Sequence, residues 1–313
     1  MIEIHPNIYE CKLEEIPETI KKANAIKVCI NNFSTDEFYH LCAENFEINT
    51  GQEIYDWPED QKDYRKYKWA GINPFYFDEN NKVKYYGMTR VTSVLNEKGR
   101  PTGLFPAKGE MGWHFNLKPF PQGNIVGLHC VESGDTETGT LLADMIHAFD
   151  TLPTSLQSEL RERTVTHNYI EGSTQIDRFA EPEKYKNIKY STRKEKLTNT
   201  HDDSIDKDWE VQLSAGWQEI ERPIIRKNHT GREGLSISPH CTTSIVGEKD
   251  NNLLEFLFKH ILKNTFTITY RIGYNDIMFM DQILMLHKRW QGDMSKRLLN
   301  RIQLYTKGER FST

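Results

Sequence analysis

The stretch "KGEMGWHFNLKPF", residues 108–120, decides how the chain is read. His114 and Asn116 stand one residue apart, and on a strand residues i and i+2 point to the same face, so both side chains can reach one ion. A distant histidine would complete a facial set of three, and His287 is the candidate, at the end of the strand-like run "NDIMFMDQILML". Beyond it, in "KRWQGDMSKRLLNRIQLY", Arg297 and Arg301 fall on one strand face and can clamp a dicarboxylate. Arginine suits that task because its planar fork donates two hydrogen bonds to one carboxylate, where lysine offers a point charge. The anomaly is Asn116, a neutral amide where a metal site would want a carboxylate.

The surrounding composition sets bounds on function. The chain has 313 residues, enough to bury a substantial core, with 45 acidic and 40 basic residues spread along its length. No basic domain of the kind that tracks phosphates is present, so nucleic acid is not an expected partner. Cys11, Cys29, Cys42, Cys130 and Cys241 are odd in number, scattered and without a CxxC pair. That pattern predicts reduced, mostly buried thiols instead of a disulfide framework or zinc ribbon. The opening "MIEIHPNIYECKLEEI" lacks the basic start and apolar run of a signal peptide, and nowhere do 18 apolar residues follow one another. A soluble, cytoplasmic protein with no membrane partner is expected, acting on a small molecule; homo-oligomerisation stays open.

Without internal repeats or low-complexity linkers, the chain reads as one domain, 1–313. "IPETIKKANAIKVCI" and "STDEFYHLCAENFEI" predict a helix, a strand and a second helix, the last opened by Ser34 and Thr35 as cap candidates. "GNIVGLHCVE", "TFTITYRIG" and "DIMFMDQILMLH" read as strands, and "ADMIHAFDTLPTSLQSELRER" as a helix broken at Pro153. Residues 172–216 are polar, mixed in charge and too long for an ordinary connection, which predicts a lid or a surface excursion. The pattern favours an antiparallel or mixed β core with flanking helices over a wound parallel sheet. No GxGxxG or GxxxxGK[ST] occurs, so dinucleotide and P-loop sites have no support.

Five segments together carry a family resemblance. "EMGWHFN" matches a "WHxD" segment, and "TGTLLADMIHAFDTLP" a threonine-led strand-to-helix stretch. "ERPIIRKNHTGREGLSISPHCTTSIVG" is similar to "HPvvrthpxTGrkaLyvnxxfTxxIvG", "NDIMFMDQILMLHKR" to "GDlvxWDNRxxxHxr", and "KRLLNRIQLY" to an "RRxxxRxxx" strand. They occur in this order between residues 110 and 305. The sequence thereby resembles the TauD/TfdA family of Fe(II)- and 2-oxoglutarate-dependent dioxygenases. The resemblance implies a mixed α/β, β-rich fold with a double-stranded β-helix, or jelly roll, at its core and helices packed outside. It implies His114 and His287 as imidazole ligands of Fe(II), with Thr140 and Arg297 or Arg301 holding the distal carboxylate of 2-oxoglutarate. Arg301, fourteen residues after His287, is the favoured anchor. It also implies an oxidoreductase that uses O2 to convert 2-oxoglutarate to succinate and carbon dioxide while oxidising an unactivated C–H bond by hydroxylation, desaturation or ring closure.

Asn116 occupies the family's carboxylate position. An amide oxygen removes one negative charge from the metal's shell and weakens Fe(II) binding. Coordination through that oxygen is the expected outcome; the alternatives are an open position that takes halide, as in a 2-oxoglutarate-dependent halogenase, or a catalytically silent jelly-roll binding protein without iron. Asp281 matches the aspartate of "WDNR", which in the family braces loop and strand and does not bind metal. Family substrates are small and anionic or zwitterionic. Tyr86, Arg90 and Thr92 before the metal motif, and His229 and His240 after it, are the pocket candidates.

Overall fold

The computed structural model describes residues 1–49, 76, 78–80, 82–92, 94, 102, 112–115, 124–133, 139–167, 183, 220–270, 276–289 and 296–307. Asn116 lies outside the described residues, as does the segment 172–216 apart from Glu183. The chain begins with β1 (Ile2–His5), β2 (Ile8–Cys11), the short helix α1 (Ile16–Thr19), β3 (Ala25–Val28), α2 (Thr35–Asn45) and β4 (Phe46–Ile48). Its middle supplies β5 (Met88–Thr92), β6 (Ile125–Glu132), β7 (Thr140–Asp144), α3 (Met145–Asp150), α4 (Thr154–Arg161) and β8 (Thr164–His167). Then come β9 (Ile220–Pro223), β10 (Ile225–Lys227), β11 (Glu233–Leu235), β12 (Thr242–Ile245), α5 (Asn252–Ile261), β13 (Thr267–Tyr270), β14 (Ile277–Asp281), β15 (Met285–Arg289) and β16 (Leu298–Thr306).

An eight-stranded sheet runs β1-β2-β3-β14-β6-β16-β4, with β5 also pairing with β16. It is mixed, because β2 and β3 pair in parallel while the other pairs are antiparallel. Smaller sheets are β13-β7-β15 and β12-β8-β9, and β10 and β11 form a hairpin. Strand alternation sorts the large sheet's side chains onto two faces. Val126, Leu128, Met278, Met280 and Leu299 share one apolar cluster with Leu142 of β7 and Met285 of β15, so this face looks at the β13-β7-β15 sheet. Ile125, Phe279, Ile302 and Leu304 point the other way, against Phe38 and Cys42 of α2. A third cluster joins α3 and α5 to Ala143, Leu286, Val165 and Leu235.

Local chemistry accounts for the elements. Ser34 caps α2 by accepting from the Glu37 amide at 3.2 Å while Glu37 reaches back to the Ser34 amide at 2.7 Å, a reciprocal capping box. Pro153 separates α3 from α4 where the sequence places the break. All five cysteines are free thiols, four buried and Cys29 exposed. No helix among the described residues is long and apolar enough to cross a membrane.

The run "DIMFMDQILMLH" reads as one strand but is two, in different sheets. Asp281 causes the division. Its Oδ1 accepts from the amides of Ile283 at 2.7 Å and Leu284 at 2.6 Å, closing a turn, while its Oδ2 meets His229 Nδ1 at 2.9 Å. Nε2 of His229 contacts the Ile20 carbonyl at 2.9 Å. Alongside, Asn24 donates to Asp144 at 3.0 Å and to the Leu284 carbonyl at 2.8 Å, and Asn7 donates to Asp144 at 2.6 Å. This buried network ties the N-terminal segment to the turn that starts β15. Asn24→Ala would leave Asp144 and the Leu284 carbonyl short of a donor, at a cost of about 1–3 kcal/mol. A urea titration should show the midpoint falling accordingly with the slope unchanged.

Candidate metal centre

His114 and His287 are brought together by backbone. The His114 amide donates to the His287 carbonyl at 3.0 Å and the His287 amide to the His114 carbonyl at 2.8 Å, an isolated antiparallel bridge. Residues opposite each other in such a pair project from the same face. The imidazoles accordingly lie with ring centroids 4.2 Å apart. His114 Nδ1 is 2.7 Å from the Gly112 carbonyl. The His114 ring thus has one nitrogen oriented by backbone and the other available as a donor, the arrangement that metal-ligating histidines use. Both rings are held neutral. Burial brings His114 down to about 4, opposed next by the Gly112 carbonyl and helped to a lesser degree by the charges of Arg289 and Arg301. Burial, then His114, Arg301 and His240, holds His287 well below its ordinary value. Neutral imidazole is the form that binds a metal. Among the described residues no three His, Cys, Asp or Glu side chains converge as a complete ligand set. The described donors are this pair.

Among the described residues, the charges of two arginines reach it, and a third acts on one of them. Arg301 on β16 is opposite Leu128 and shares the face of Leu299, and its charge acts on both imidazoles. Arg289 lies two residues beyond His287 on the same face of β15, opposite Thr140 of β7. Arg297, just before β16, is buried and its charge acts on Arg289. Burial pushes Arg289 and Arg301 each down to about 10, which leaves both cationic at neutral pH. The sequence reading omits Arg289, although the quoted pattern "Hxr" holds its place.

The substrate candidates separate. His240 is buried, its Nδ1 2.7 Å from Ser238 Oγ and its ring 5.8 Å from that of His114. Arg90 and Thr92 share the face of Met88, which packs in the cluster under α2. Arg90 lies over the Tyr76 ring at 5.2 Å, and Thr92 donates to the Arg297 carbonyl at 2.6 Å. Tyr86 is 39% exposed. His229 is taken up in the Asp281 brace. Of these five, the structure brings His240 to the imidazole pair. His167, which no sequence pattern marks, also lies close by, its ring 6.2 Å from that of Phe115.

A family model described as "Taurine catabolism dioxygenase TauD, TfdA family" matches residues 73–303. Among solved structures, a taurine dioxygenase from Burkholderia xenovorans aligns with a TM-score of 0.57 at 13% identity, over 93% of this chain and 79% of that one. AAD-2 in complex with Mn(II) and N-oxalylglycine aligns with a TM-score of 0.61 at 13% identity, over 97% and 96%. At these identities the likeness is one of fold. Comparison with curated proteins gives no match.

The depressed histidines make stability depend on pH. Burial also brings His167 down to about 4, helped by Arg222 and Arg226. Between the ordinary value of 6.5 and about 4 the unfolded chain binds protons that folded His114 and His167 do not, so stability falls as pH falls through this window. Metal-free protein should lose up to about 1.4 kcal/mol per pH unit for each such histidine. Urea midpoints measured across the window should show the fall, and His167→Gln should make it shallower than in wild type.

Proposed function

The chain belongs to the TauD/TfdA family, and from that premise we propose an Fe(II)- and 2-oxoglutarate-dependent oxygenase that oxidises an unactivated C–H bond of a small anionic or zwitterionic molecule. The observation that carries this reading is the reciprocal His114–His287 bridge, which sets two neutral, backbone-oriented imidazoles side by side. A nitrogen-donor pair of that kind fits a first-row divalent metal such as Fe(II). The large sheet and the β13-β7-β15 sheet share one apolar interior, which supports reading them as the two halves of a jelly roll. On this reading 1–313 is one domain with a lid or insertion at about 172–216, and the protein works in the cytoplasm on a small molecule, without nucleic acid.

With Fe(II) and 2-oxoglutarate bound, the centre supplies O2-dependent oxidation in which the cosubstrate becomes succinate and carbon dioxide. The chain's own residues hold and orient the reactants. Arg301 acts at the metal end, since both imidazoles feel its charge. Arg297, Arg289 and Thr140 take the distal carboxylate. Arg297 acts on Arg289, Arg289 is opposite Thr140, and two strand residues separate this group from His287 by roughly 7 Å. That gives Arg297 the role which spacing alone gives to Arg301. Mutually repelling guanidiniums around one interior favour a dianion among them. Asn116 is the third donor, through its amide oxygen, and His240 lines the substrate side.

Anaerobic addition of Fe(II) and 2-oxoglutarate should produce a charge-transfer absorption that His114→Ala and His287→Ala both abolish; its absence from wild type would turn the assignment toward a silent binding protein. Arg297→Ala should raise the 2-oxoglutarate concentration needed for that band by about tenfold or more, a loss of roughly 1.5–3 kcal/mol for a charge-assisted pair. If Arg301→Ala alone shows the larger loss, the two arginines exchange roles.

Asn116→Asp should tighten Fe(II) binding at least about tenfold, because the added charge would sit directly on a divalent cation in a partly dry pocket. Chlorinated product from wild type in chloride buffer, replaced by hydroxylated product in Asn116→Asp, would favour the halogenase instead.

A further inference from the structure

The family match begins at residue 73, yet the turn that starts β15 is gripped at both ends by a residue far ahead of it, Asn24. At the end of β14 the Asp281 amide donates to the Asn24 carbonyl at 2.9 Å. Three residues on, the Leu284 carbonyl accepts from Asn24 Nδ2 at 2.8 Å. The same nitrogen donates to Asp144 Oδ1 at 3.0 Å, and Asn24 Oδ1 accepts from Asn228 Nδ2 at 3.3 Å. A carbonyl only accepts, so Leu284 fixes which way the fully buried amide of Asn24 points.

These contacts fall at the first rung of the ladder that carries His287. β15 pairs with β7 through Met285 opposite Asp144, Leu286 opposite Ala143 and His287 opposite Leu142. Asn24 joins Asp144, on the β7 side of that rung, to Leu284, the residue just before Met285 on the β15 side. On its other edge β15 is held, among the described residues, by the isolated bridge to His114. A slip of one residue turns every side chain of a strand to the opposite face, which would carry the His287 ring away from that of His114. The ladder itself does not choose between registers, since each residue of β7 and β15 offers the same main-chain donor and acceptor. A side chain with two donors and an acceptor in one plane does choose. Aspartate has that shape without the donors, and serine has one donor.

We propose that Asn24 is a positioning residue of the metal centre, which pins the register of β15 on β7 and through it the placement of the His287 imidazole against that of His114. This rests on reading the two histidines as metal ligands and deepens it. Asn24 acts through the Leu284 carbonyl and Asp144, and the part of the chain ahead of the family match thereby sets how well the pair holds an ion.

Fe(II) is the probe, titrated anaerobically into the full chain, and amide hydrogen exchange of the metal-free protein is the second readout. Asn24→Ala, and Asn24→Asp with its volume kept and its donors lost, should each weaken Fe(II) binding by about tenfold. Both should speed exchange at the His114 and His287 amides relative to those of β6, and Asn24→Ser should fall between them and wild type. Ser34→Ala supplies the comparison, because it removes the cap of α2 and lowers the urea midpoint but should leave Fe(II) affinity as in wild type. Wild-type Fe(II) affinity and wild-type exchange at the two bridge amides in Asn24→Ala and Asn24→Asp, with lowered urea midpoints, overturn the proposal and make Asn24 a stabilising residue only. Weakened Fe(II) binding in these variants, in a protein whose wild type never develops the 2-oxoglutarate charge-transfer band, would retain the positioning role and overturn the oxygenase reading.

Discussion

The carboxylate of Asp281 is the constraint on which the rest of the architecture depends. It ends β14 in the large sheet and, by accepting two amides of its own turn, sends the chain into the smaller sheet as β15. His287 gets its position from that turn, six residues on. A buried carboxylate is tolerable only when fully bonded, and here His229 completes the set and reaches on to the Ile20 carbonyl. Asn24, Asn7 and Asp144 repeat the arrangement beside it. The N-terminal segment is therefore part of the scaffold under the imidazole pair, although it contributes no residue to the proposed centre.

Electrostatics divides the surroundings of the pair into two kinds of group. The histidines are kept neutral chiefly by burial, so their lone pairs stay available, while nearby arginines keep their charge despite burial. Neutral donors suit a cation and permanent cations suit anions, and both kinds meet at one end of β15. His287 and Arg289 differ by one strand repeat, a neutral imidazole and a guanidinium on one face.

Much of this was legible in the sequence, but unevenly. His114, His287 and the two later arginines stand in an ordered set of segments, and the Ser34 cap and the break at Pro153 follow from local chemistry that tertiary packing does not override. The division of "DIMFMDQILMLH" was not legible, because apolar residues continue through the turn and an aspartate that bends a chain looks like one on a strand. Nor were the Asn24 and Asp144 contacts, which join residues more than a hundred positions apart. His167 sits in an ordinary strand, and only the pairing of β8 with β9 and β12 sets it near Arg222. Arg90 and Thr92 illustrate the converse: proximity in sequence to the metal motif does not decide which face of β5 a side chain occupies.

The bridge between His114 and His287 also bears on how such a centre changes over evolutionary time. Main-chain hydrogen bonds hold the two imidazoles in place, and any residue but proline at either position could make those bonds. Replacing either imidazole would therefore remove a donor while the bridge stays formed, so the chemistry of the centre can be changed by single substitutions without refolding the protein.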